Sequence, residues 1–107
     1  MLARAWNNGK FLENGAGYGI LLSEQFRDEY LDVDWPSIRL ELEGMEGEVE
    51  LAINNSVFWS RGRELKSTKI GRWLIANGCG HFDEEHPVEL VLTPLSGNRF
   101  AVSLARR

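Results

Sequence analysis

The sequence is poor in the residues that staple or metallate small folds: its 107 residues hold one cysteine, two histidines and three prolines. A lone Cys79 excludes an internal disulfide framework and predicts a reducing, cytoplasmic setting. No apolar run approaches the ~20 residues that a membrane helix requires; Ile20 to Leu22 and Val57 to Trp59 are typical stretches. Met1 to Asn8 carry no apolar region of the kind that directs secretion, so no signal peptide is expected. Positive charge is also in deficit. Twelve Lys and Arg against 16 Asp and Glu give a formal charge of -4, which disfavours a nucleic-acid binder that relies on overall charge. Repeats and low-complexity tracts are absent.

What is present is globular. Hydrophobic residues make up 43% of the chain and charged residues 26%, enough for one core in a single domain over residues 1–107. The leader is rich in turn-forming residues, with Asn7-Asn8-Gly9 and Asn14-Gly15-Ala16-Gly17, and reads as irregular or as a hairpin pinned by Trp6, Phe11 and Tyr18. A strand is expected over Tyr18 to Leu22, then a short helix from Glu24 to Leu31 capped by Ser23. Two stretches with period two follow. Ile38, Leu40 and Leu42 alternate with Arg39, Glu41 and Glu43, and Val49, Leu51 and Ile53 alternate with Glu48 and Glu50, so a hairpin turns at Gly44 to Gly47. A second helix is predicted from Glu64 to Asn77, on the partial stripe of Leu65, Ile70, Trp73 and Leu74, with Ser67 a competing N-cap and Gly78 past its end. Val88, Leu90 and Leu92, then Phe100, Val102 and Leu104, define a closing hairpin. These elements suit an α+β fold, a small, mostly antiparallel barrel or highly curved sheet with two helices, whose alternating residues form one core with Phe26 and Trp73.

The motifs of common chemistries are weak. Gly15-Ala16-Gly17-Tyr18-Gly19 precedes a strand, whereas a phosphate loop must lead into a helix N-terminus. Cys79, His81, Asp83 and His86 gather in one loop but lack paired cysteines, so no metal site and no cofactor are expected. With no G-x-S-x-G elbow and both histidines in that loop, no catalytic residues are assigned and the chain reads as a non-enzyme. The strongest charge feature is Arg61, Arg63, Lys66, Lys69 and Arg72, offset only by Glu64: this segment is +4 and leaves -8 for the rest. Such a patch suits backbone phosphates, or else balances the acidic hairpin. Met45 and Trp59 are candidate contact residues, tryptophan being enriched at interfaces.

Trp6-Asn7-Asn8-Gly9, Gly15 to Gly19, Phe58-Trp59, Glu64-Leu65 with Ile70-Gly71-Arg72-Trp73-Leu74, and Gly97-Asn98-Arg99-Phe100 together resemble an uncharacterised family of small bacterial proteins. That resemblance implies a bacterial origin and supplies no activity. Leu21-Leu22-Ser23, Phe26-Arg27, Tyr30-Leu31 and Asn98-Arg99-Phe100 are more weakly similar in order to pseudobarrel DNA-binding domains of the B-three type. The sequence therefore predicts a non-catalytic interaction domain that binds an unidentified protein or itself. The alternative is a nucleic-acid-binding pseudobarrel that uses residues 61–72.

Overall fold

The computed structural model describes residues 2–60 and 64–105. Its strands are β1 (Leu2–Asn7), β2 (Tyr18–Leu21), β3 (Ser37–Leu42), β4 (Val49–Ala52), β5 (Glu64–Lys66), β6 (Glu89–Pro94) and β7 (Arg99–Leu104). Its helices are α1 (Glu24–Tyr30), α2 (Ser56–Ser60) and α3 (Thr68–Ala76). One mixed sheet in the order β4-β3-β7-β6-β1-β2-β5 contains every strand. Among the described residues only β3 and β7 pair in parallel, and the other five pairings are antiparallel. The sheet curls into a barrel left open between β4 and β5.

Alternation explains the closure. On β3, β6 and β7 the residues Ile38, Leu40, Leu90, Leu92, Phe100 and Val102 are fully buried, while Arg39 and Glu89 face solvent. Both predicted hairpins form, with Ile38 opposite Leu51 and Leu92 opposite Val102. Glu50 points outward, as its register requires. Val88 and Leu104 pack on the core only partly buried, because they lie at the ragged ends of the closing hairpin. The leader supplies a strand and not only turns: Arg4 to Asn7 pair with Leu21 to Tyr18.

The helices plug the two ends. Ser23 caps α1 by accepting from the Phe26 amide at 3.0 Å, and the Phe26 ring lies 5.7 Å from that of Phe100. Arg27, 5% exposed, bonds the Asp28 carboxylate at 2.9 Å and donates to the Phe58 carbonyl at 3.1 Å, tying α1 to α2. At the other end the Trp73 indole of α3 donates to the Glu43 carbonyl at 2.9 Å. Gly71 lets α3 touch the leader, since a Cβ there would come within 2.2 Å of the Gly15 carbonyl.

Two elements correct the sequence reading. The helix expected from Glu64 begins at Thr68, because Glu64–Lys66 pair with Gly19–Leu21 as a strand. Long-range pairing overrides a short run's helical spacing. There are three helices among the described residues, the added one being α2, whose N-terminus is capped when the Phe58 amide donates to Asn55 Oδ1 at 2.8 Å.

Candidate functional site

The basic segment does not lie on one helix. Arg61 and Arg63 fall outside the described residues. Lys66 belongs to β5, with its ammonium 5.3 Å from the Trp6 ring centre, a contact that passes over the side-chain-free Gly19 between them. Lys69 and Arg72 stand three apart on exposed positions of α3, and Arg72 donates to the Asn14 carbonyl at 3.2 Å. These two line a groove of about 250 Å³ whose opposite wall is the β3–β4 turn, including Met45, Glu46 and Glu48. The cations thus face carboxylates of the same chain. Met45, 41% exposed, sits at that groove's rim. The same hairpin carries an ionic cluster, in which Arg99 bonds Glu48 at 2.8 Å and also Glu41. These bonds, that to Glu48 foremost, raise the pKa of Arg99 above its ordinary range.

Trp59 is built into the scaffold. It is half-buried, its indole donates to the Ile53 carbonyl at 2.7 Å, and the Arg27 guanidinium lies 5.7 Å from its ring centre. In the loop 79–87, His81 stacks on Phe11 at 5.1 Å, the Cys79 thiol approaches the Asn77 carbonyl at 3.5 Å, and His86 bonds Asp83 at 3.1 Å. The His86 amide and ring hold the Asp83 carboxyl below its ordinary pKa. Among the described residues no three His, Cys, Asp or Glu side chains are grouped to hold a metal. Phe11 also meets Tyr18 and Phe82 edge-on, and the Tyr18 hydroxyl donates to the Gly80 carbonyl, so the loop is pinned to the leader. Burial raises the Tyr18 pKa. A cleft of about 610 Å³ opens between this loop and β1, lined by Trp6, Asn7, Phe11 and Phe82 and also by Arg4, Asp83 and Glu84.

The third feature is the seam between β4 and β5. Strand parity fixes which backbone groups face it. The Arg39 amide donates to Asn98 and the Ile53 amide to Pro36, so Val49, Leu51 and Ile53 turn their N–H and C=O groups to β3. Glu50 and Ala52 must then turn theirs outward. On the far side the Ser67 amide donates to Tyr18 and the Asn8 amide to Gly17, which aims Leu65 at β2 and leaves Glu64 and Lys66 aimed at the seam. Between these edges lies a groove of about 360 Å³ lined by both strands and by Asn55, Val57 and Phe58. Its walls include the buried Leu51, Phe58 and Leu65, and Val57 stands at its edge, 54% exposed. Sequence reasoning missed this feature. The local signal was Asn55-Ser56, which caps and starts α2 where the barrel could have continued.

No protein-family model matches the chain, no curated protein is similar to it, and no solved structure matches its fold. Function is therefore read from the geometry alone. No helix among the described residues is long and apolar enough to cross a membrane.

Proposed function

We propose that this protein is a non-catalytic interaction domain whose contact surface is the open seam. The observation that carries this reading is that two strand edges turn toward one groove with apolar walls backbone donors and acceptors that have no partner strand among the described residues. Edge strands are the part of a sheet that recruits another chain. The Lys69–Arg72 groove supports the same preference over nucleic acid, because Glu46 lines it beside the cations and offsets part of their charge.

The test is selection of binders from a random displayed-peptide library on the wild-type protein, followed by counter-screening on Val57→Asp. Val57 is exposed at the groove, so the variant keeps its fold while placing a charge in the contact surface. Binders lost on Val57→Asp are the expected outcome. Binders indifferent to that change and dependent on Lys69 and Arg72 would move the site to the other groove.

A further inference from the structure

We propose that the segment bound at the seam is an extended strand, inserted between β4 and β5 as the eighth strand that closes the barrel. This rests on the interaction reading above and names its partner's conformation. The four outward-facing residues, Glu50, Ala52, Glu64 and Lys66, present main-chain groups in two short rows on opposite sides of one groove. An extended chain can answer both rows, because alternate residues turn their N–H and C=O groups to opposite sides. A helix cannot, since its own backbone groups are spent internally. A second copy of this chain fits poorly: its β4 and β5 edges are each already paired on one side within its own sheet, so either can answer one row but not both.

Direction and side-chain pattern follow. Counting reversals along the sheet, β4 and β5 run oppositely. The inserted strand is therefore antiparallel to one edge and parallel to the other. With β4 four residues long and β5 three, about five residues of the partner are engaged. Alternate side chains turn inward onto Leu51, Phe58 and Leu65 and must be apolar, β-branched ones fitting best. The others turn outward beside Glu50, Glu64 and Lys66 and must be polar. Short edges carrying charges resist indiscriminate pairing, so the match of inward residues to the groove sets selectivity.

The probe is a blocked hexapeptide of alternating valine and threonine, compared with the same peptide N-methylated at every second residue so that the donors of one edge are lost. Binding is followed by amide spectra and hydrogen exchange of the full chain. The unmodified peptide is expected to slow exchange at Ala52 and Lys66, and N-methylation to weaken binding about tenfold through the lost hydrogen bonds. Equal binding of the two peptides, or spectral changes centred on Lys69 and Arg72, overturns strand insertion. Failure of both peptides at millimolar concentration also overturns it, and the library result then separates the two claims. Val57-dependent library binders leave the interaction surface standing with a different occupant, and their absence removes both.

Discussion

Strands β6 and β7 are paired along both edges and bury Leu90, Leu92, Phe100 and Val102 to 2% exposure or less, whereas among the described residues β4 and β5 are paired along one edge only. Both regions alternate in the same way: Leu51 and Leu65 are buried between exposed or half-exposed neighbours. The difference lies in the backbone. Side-chain alternation decides which face of a strand meets the core, but a strand's second neighbour is decided by topology. At the seam, α2 follows β4 in the chain before β5, and its buried Phe58 forms part of the groove's wall. One part of the molecule spends its backbone groups on its own fold, and the other holds them ready.

The sharpest way to break that contrast is to damage the closed side. Phe100→Ala removes a ring packed on Phe26 and should cost about 3–5 kcal/mol in urea unfolding. Val57→Asp at the seam should change stability by no more than about 0.5 kcal/mol. Comparable losses in the two variants would mean that the seam is part of the folded core. Next in size is Gly71→Ala, which forces a methyl against the Gly15 carbonyl and should cost about 1–3 kcal/mol as α3 shifts off the leader. Seam amide shifts should barely respond to it.

Electrostatics gives smaller effects. Replacing Lys69 and Arg72 with alanine should leave duplex DNA binding as feeble as in the wild type at physiological salt, since Glu46 stands opposite and the chain carries a net charge of -4. Micromolar duplex binding that these changes abolish, with a salt slope reduced by about one unit per lost contact, would establish the nucleic-acid reading instead. Smallest is the pH response of the loop 79–87. Because the folded Asp83 pKa is lowered, its contribution is complete above the ordinary value of 3.8 and is lost as pH falls through the folded value. A carboxyl-carbon NMR titration should place the Asp83 midpoint below 3.8.

Much of the fold was legible because period-two spacing needs only neighbours in sequence. Ile38, Leu40 and Leu42 announce β3, Val49 and Leu51 announce β4, and Ser23 announces α1 through a cap that the chain forms locally. β5 was not legible. Leu65 belongs with Ile70, Trp73 and Leu74 in helical spacing, and only the pairing with β2 makes Glu64–Lys66 a strand. The parallel contact of β3 with β7 is hidden for the same reason, since it joins residues some sixty positions apart. For the site, the charge run was legible, but its meaning changed once Lys66 left for β5 and the acidic turn came to face Lys69 and Arg72. The seam depends on which carbonyls and amides remain unpaired, which composition does not record.

Amide hydrogen exchange of the free protein tests the central claim most directly, because it reads backbone pairing residue by residue. Within β4 the amides of Val49 and Leu51 should be protected while those of Glu50 and Ala52 exchange quickly; within β5 Leu65 should be protected and Glu64 and Lys66 should not. Uniform protection along both strands would show that the seam's backbone groups are already satisfied, and would contradict an open edge.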